Sequence, residues 1–290
     1  MTVFLNGKLL PADQASVSVL DRGFIFGDGI YELVPVYSRV PFRLDEHLTR
    51  LERSLGEAKI RNPYSRAQWR AHIYQLIDAQ PFDDQGVYFQ VTRGVAKRDH
   101  ALPKNIEPTV FMMSNPLVNP PQAQVEQGGA AVSAPDNRWL RCDIKSISLL
   151  GNCLLRQLSA DAGAAETILF RDGKLTEASA SNVFIVKRGV IQSPPKSNLI
   201  LPGITYDVIV ELAAANGMPL EFRAVTEAEV RAADEIWVTS SSKEVLAIVE
   251  LDGKRVGDGR PGPVFRRMYQ AYQEFKQKVM RAGKREALSA

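Results

Sequence analysis

Cysteine is nearly missing from this chain: 290 residues hold two, Cys142 and Cys153. Their spacing matches neither a C-x-x-C redox pair nor a zinc ribbon, and reduced thiols are expected. Histidine is almost as scarce. His47, His72 and His100 are scattered, with no H-x-x-x-H or H-E-x-x-H spacing, which leaves no sequence basis for a metal site. No run of about 18 apolar residues occurs, and the opening Met1-Thr2-Val3-Phe4-Leu5-Asn6-Gly7 lacks a basic stretch leading into an apolar block. A soluble cytoplasmic protein with no membrane partner is the expectation. The charge excess is also small: a net +3, with Lys and Arg interleaved with acids, gives no footprint for nucleic acid. An anionic small-molecule pocket would account for a few of the cations.

What is present is an ordinary core. Hydrophobic residues make up 45% of the chain, which is long enough for two domains. Val3-Phe4-Leu5, Asn6-Gly7 and Lys8-Leu9-Leu10 spell a β-hairpin with a type I′ turn. Ile30 to Tyr37 is rich in β-branched, aromatic and aliphatic residues and predicts a strand ending before Pro41. Leu44, Leu48, Leu51 and Leu55 recur at helical spacing with Asp45 placed to cap, and a second helix over residues 65–79 puts Trp69, Ile73, Leu76 and Ile77 on one face. Further strands are predicted at 86–93, 108–113, 167–170, 183–186 and 235–239, and helices at 149–163, 206–216 and 262–279. Between Asn115 and Gly129, Pro116, Pro120, Pro121 and a Gly-Gly pair interrupt the pattern. The organisation expected is therefore a smaller α/β N-terminal domain over 1–118, a linker over 119–129 and a larger C-terminal α+β domain over 130–290, with a polar, basic tail from 281 to 290 that frays. Strands and helices mix without strict βαβ alternation and without a repeat, so the fold class is α+β.

Lys145 lies in Arg141-Cys142-Asp143-Ile144-Lys145-Ser146, and Glu177 follows 32 positions later in Leu175-Thr176-Glu177-Ala178-Ser179-Ala180-Ser181-Asn182-Val183-Phe184. A lysine can form a Schiff base with an aldehyde cofactor, and a carboxylate can keep a pyridine nitrogen protonated. Taken alone, each is more simply a solvated surface group. The setting of Lys145 argues otherwise: Trp139, Leu140, Ile147, Leu149 and Leu150 surround it, and partial desolvation favours the free amine of a lysine. Leu201-Pro202-Gly203-Ile204-Thr205 precedes a helical pattern, so the amides of Ile204 and Thr205 stand where a helix N-terminus attracts anions, with the Thr205 hydroxyl beside them. Thr239-Ser240-Ser241-Ser242 reads equally as a second donor set and as a polar loop. The Gly-rich stretch from Asp21 to Glu32 does not match G-x-G-x-x-G and leads into a strand, which removes a nucleotide-binding loop.

These stretches, over almost the whole chain, resemble the fold-type IV pyridoxal-phosphate aminotransferases, the class containing the D-amino acid and branched-chain aminotransferases. The resemblance implies the two-domain α+β fold of that class and pyridoxal 5'-phosphate as cofactor. It makes Lys145 the catalytic lysine, Glu177 the partner of the pyridine nitrogen, and Leu201 the apolar contact under the ring. Arg50, Ile204, Thr205, Ser240 and Ser241 become the phosphate cradle. A helical wheel by itself puts Arg50 on a solvated face, so its role comes from the resemblance alone. In the loop from Arg93 to Pro103, Arg98 and His100 match the Arg-x-His pair that, with the tyrosine matching Tyr31, holds the substrate carboxylate in D-amino acid aminotransferases. The branched-chain enzymes lack that pair, and the docking place of the carboxylate decides which enantiomer presents its Cα hydrogen. Ala180 departs from the pattern, standing where the better-matching relatives often have serine. The implied activity is a ping-pong transfer of the amino group from D-alanine or other D-amino acids to 2-oxoglutarate, by a homodimer whose partners are small-molecule amino acids and 2-oxo acids. An aminodeoxychorismate lyase and an L-branched-chain aminotransferase are the alternatives on the same fold. A basic nucleic-acid-binding or scaffolding protein is the alternative from another class.

Overall fold

Asn6 and Gly7 adopt φ of 47° and 90°, as a type I′ turn requires, and close the hairpin of β1 (Thr2–Leu5) and β2 (Lys8–Pro11). The hairpin opens the first of two compact units in a computed structural model that describes residues 1–118 and 120–283. That unit continues through α1 (Arg22–Phe26), β3 (Gly29–Tyr37), β4 (Val40–Pro41), α2 (Leu44–Glu57), α3 (Arg66–Asp78), β5 (Gln85–Thr92) and β6 (Thr109–Pro116). Its strands form an antiparallel sheet in the order β2-β1-β6-β5-β3-β4. Period-two alternation buries Ile30, Glu32 and Val34 of β3 and leaves Tyr31 and Leu33 half-buried on the other side. Leu48, Leu51 and Leu55 of α2 and Trp69, Ile73 and Ile77 of α3 complete the core. The Ser65–Gln68 capping box starts α3. Asp45 does not cap α2. Arg43 holds the N-cap position with φ 52° and makes no side-chain capping bond, while Asp45 lies in the first turn and accepts from Arg70 Nη2 at 2.9 Å.

Two later stretches return to this unit: Ile144–Leu149 and the chain from Lys278. The first docks on β3 like an extra strand, with a Ser146–Ile30 bridge, Tyr31 N donating to Lys145 O at 2.9 Å and Ile147 N donating to Gly29 O at 3.0 Å. Glycine at 29 makes this approach feasible, since a Cβ there would stand 2.8 Å from Ile147 Cδ1. The division is thus not a single cut after residue 118. Arg281 is tied down by an ion pair to Asp84 and lies 5.8 Å from the Tyr37 ring centroid. The expected fraying tail from Lys284 to Ala290 lies outside the described residues.

The second unit begins with α4 (Gln122–Gln127), a helix within the stretch expected as a linker, ending at Gly128 with φ 77°. There follow β7 (Gly129–Pro135), α5 (Leu150–Asp161), β8 (Glu166–Arg171), β9 (Lys174–Ala178), β10 (Asn182–Lys187), β11 (Val190–Ser193), α6 (Ile204–Ala215), β12 (Leu220–Phe222), α7 (Glu227–Arg231), β13 (Glu235–Ser240), β14 (Glu244–Leu251), β15 (Lys254–Arg255) and α8 (Pro263–Phe275). The sheet runs β12-β11-β10-β13-β14-β7-β8-β9, with β15 on β14. Pairing is parallel for β11·β12, β14·β7 and β7·β8, and antiparallel elsewhere. Among the described residues no helix is long and apolar enough to cross a membrane.

Candidate active site

Lys145 owes its position to the docked stretch just described. Its backbone N–H donates to Ser54 Oγ at 3.4 Å, and its Nζ stands 4.3 Å from the Tyr31 ring centroid. Tyr31 in turn contacts Tyr88, with centroids 5.6 Å apart. Burial, with a contribution from Tyr31, pushes the Tyr88 phenol up to about 12, and its hydroxyl donates to Gln90 Oε1 at 2.7 Å.

On the opposite face of β3, Glu32 is fully buried and accepts from Arg50 Nε and Nη2, each at 2.8 Å, and from His47 Nδ1 at 2.8 Å. Burial alone would raise this carboxyl, but the charge and hydrogen bonds of Arg50, joined by His47, bring it down to about 2. Burial lowers His47 and holds it neutral. Because a carboxylate only accepts, Nδ1 carries the proton, and the buried Nε2 is an acceptor with no partner among the described residues. Arg50 is therefore not on a solvated face: it is 8% exposed and forked onto a carboxylate.

Arg98 and His100 are exposed and flank Phe26 at the end of α1. The Arg98 guanidinium lies 5.4 Å from the Phe26 ring and the His100 centroid 5.5 Å from it, while Arg22 stacks at 4.7 Å and donates to Asp99 O at 2.5 Å. Among the described residues, no hydrogen bond, ion pair or ring contact joins either residue to Tyr31 or Lys145.

In the second unit Glu177, on β9, is held at both oxygens. Oε1 accepts from Arg138 Nη1 at 2.5 Å, and Oε2 accepts from Leu201 N at 3.0 Å and Asn182 Nδ2 at 3.3 Å. Asn182 Nδ2 also donates to Leu201 O at 2.9 Å, and its Oδ1 fills the space of a side chain at 203, where a Cβ would meet it at 2.2 Å. Arg138 is shared: Nε and Nη2 each donate to Asp136 at 2.9 Å. Burial pushes Glu177 up to about 7, and the divided Arg138 offsets this only in part, with Asp136 acting against it.

Gly203 caps α6 with no side-chain bond, so among the described residues the helix starts at Ile204 and Thr205 without a side-chain cap. Ser240 ends β13, where its Oγ accepts from Lys243 N at 3.1 Å. Ser241 follows in the turn, half-buried, and the buried Thr239 Oγ1 has no partner among the described residues.

These groups suit pyridoxal phosphate. A fixed, buried carboxylate that titrates near neutrality matches a pyridine nitrogen, and a helix N-terminus without a side-chain cap, together with an unpartnered buried hydroxyl, matches an anion. Sequence reasoning missed Arg138, Asn182, Glu32 and His47. The last two had a legible signal: Glu32 alternates with Ile30 and Val34, and His47 falls on the Leu44, Leu48, Leu51 face of α2, so acid and base are both written into apolar stripes.

Residues 29–251 match the family model described as amino-transferase class IV. The D-alanine aminotransferase of Bacillus licheniformis is 40% identical over 273 residues, spanning 94% of this chain and 96% of that protein. That of Listeria innocua is 39% identical over 285 residues, 97% of each. The branched-chain amino acid aminotransferase of Escherichia coli has the same fold, with a TM-score of 0.86 at 24% identity, covering 98% of this chain and 96% of that one. A family match over most of the chain and relatives aligned along nearly their full length identify this protein as a class IV aminotransferase, an enzyme that works with pyridoxal phosphate.

Proposed function

We propose that this enzyme is a D-amino acid transaminase, transferring the amino group of D-alanine or other D-amino acids to 2-oxoglutarate, and that it acts as a cytoplasmic homodimer. The observation that carries this reading is the 40% identity to a D-alanine aminotransferase over 94% of the chain, against 24% to the branched-chain enzyme of like fold. Pyridoxal phosphate, when bound, supplies the electron sink and carries the amino group between the halves of a ping-pong cycle.

Lys145 contributes the primary amine: its Nζ, aimed by the Tyr31 N–H bond to its carbonyl and walled by the Tyr31 ring, takes the proton from the substrate Cα. Glu177 pairs with the ring nitrogen. A carboxyl near 7 lies close enough to a pyridine in affinity to share a strong hydrogen bond, and Arg138, Asn182 and Leu201 N stop it from rotating. The phosphate is assigned to the amides of Ile204 and Thr205, the hydroxyls of Ser240 and Ser241, and the Arg50 guanidinium that Glu32 aligns. Leu201 supplies the apolar contact to the ring. Tyr31, Arg98 and His100 are assigned to the α-carboxylate; hydrogen bonds to a charged group contribute about 1.5–3 kcal/mol each, so their placement selects the enantiomer.

Two variants test this. Lys145→Ala should abolish transamination of D-alanine while circular dichroism stays native; retained turnover refutes the assignment. Arg98→Ala should lower kcat/KM for D-alanine about tenfold or more, as loss of a charged hydrogen bond demands, with less change in cofactor retention. Initial rates with paired D and L amino acids decide the substrate class, and a preference for L-leucine over D-alanine would overturn it.

A further inference from the structure

Glu166 opens β8 with a side chain that is 0% exposed, and five donors converge on it. Oε1 accepts from Lys243 Nζ at 2.8 Å, Ser181 Oγ at 2.7 Å and Ala180 N at 3.2 Å; Oε2 accepts from Thr167 N at 3.0 Å and from Ser179 Oγ. The whole β9–β10 turn is thus gripped by one carboxylate. Ala180 gives it only a backbone N–H, so the cation that keeps this buried charge in place is Lys243.

Lys243 reaches two turns at once. Its backbone N–H donates to Ser240 Oγ at 3.1 Å, and its Nζ stands 3.4 Å from Ser181 Oγ as well as on Glu166. Ser181 precedes Asn182, whose Nδ2 holds Glu177 Oε2 and Leu201 O. We propose that Glu166 and Lys243 are paired positioning residues, coupling the turn that fixes Glu177 through Asn182 to the turn that presents Ser240. The inference rests on the reading that Glu177 and Ser240 serve the cofactor. Burial acts to raise Glu166, but the nearby charge of Lys243 and the two serine hydroxyls hold it below its usual range.

The test compares wild type, Lys243→Met, Lys243→Arg, Glu166→Gln and the Lys243→Met/Glu166→Gln double variant as purified holoenzymes. Readouts are the visible absorption of bound pyridoxal phosphate, its dissociation constant, kcat and KM for D-alanine, and thermal unfolding. Lys243→Met should loosen the cofactor by about tenfold and shift its absorption maximum, Lys243→Arg should restore both, and the double variant should be no worse than Lys243→Met because no charge is then stranded. A Lys243→Met protein with wild-type spectrum and affinity overturns the proposal, as does failure of arginine to rescue, or single effects that multiply in the double variant. If Lys243→Met does not fold, the double variant carries the test, and wild-type affinity there is equally fatal. Wild-type protein that takes up no pyridoxal phosphate would sink the underlying functional reading instead, a separable result.

Discussion

Glu32 and Glu177 are both buried carboxylates held by an arginine, one in each unit, yet they are driven in opposite directions. Glu32 takes two nitrogens of Arg50 and a hydrogen bond from His47, and falls to about 2. Glu177 receives a single nitrogen of Arg138, whose Nε and Nη2 donate to Asp136, and burial takes it up to about 7. At Glu32 the contacts of Arg50 and His47 outweigh burial, whereas at Glu177 burial outweighs the bonds from Arg138 and Leu201 N. The first arrangement suits a permanent structural charge. The second suits a group that exchanges or shares a proton near neutrality.

Glu32 is where this contrast breaks most visibly. With a folded value near 2 against an ordinary value of 4.5, ionised Glu32 contributes about 3 kcal/mol above pH 4.5, and this contribution is lost as pH falls from 4.5 toward 2. Glu32→Gln should lower the unfolding free energy by about that much at pH 7, and by progressively less below pH 4.5, in urea titrations run across that range. A difference between variant and wild type that does not change with pH would refute the charge assignment. Glu177→Gln should show the opposite sign. Because burial raises Glu177 from 4.5 to about 7, the cofactor-free protein should lose stability from this group as pH climbs through that window, and the glutamine variant should lack that slope. In the holoenzyme the same substitution should cut kcat about a hundredfold, as removal of an electrostatic partner of the reacting system does, with a smaller change in cofactor affinity. Absorbance titration against steady-state rates separates the two. As a control away from either carboxylate, Ser65→Ala should cost about 1 kcal/mol through loss of the α3 capping box, without altering the pH dependence of either glutamate variant.

Legibility tracked how local the governing interaction is. The Asn6-Gly7 turn, the β3 run and the Leu stripe of α2 were readable because neighbours a few positions apart determine them. Docking of Ile144–Leu149 onto β3 was not, since it depends on a pairing between Ile30 and Ser146. Arg50 misled the helical wheel because the wheel has no means of placing Glu32 opposite it. Arg138 escaped notice for a related reason: Asp136-Asn137-Arg138 carries no periodic signal, and its meaning arises only when Glu177, 39 positions away, comes within reach. Lys145 and Glu177 were singled out through family likeness, not through their chemistry as isolated residues.

The return of Ile144–Leu149 to the first unit limits how this enzyme can be taken apart. A fragment ending at Leu117 would carry the whole six-stranded sheet but not the lysine that rests on it, and the complementary fragment would carry that lysine without its supporting strand. Splitting the chain at the Pro-rich joint would then separate Lys145 from β3. Recombination among such enzymes should succeed only where the stretch from Ile144 to Leu149 travels with β3.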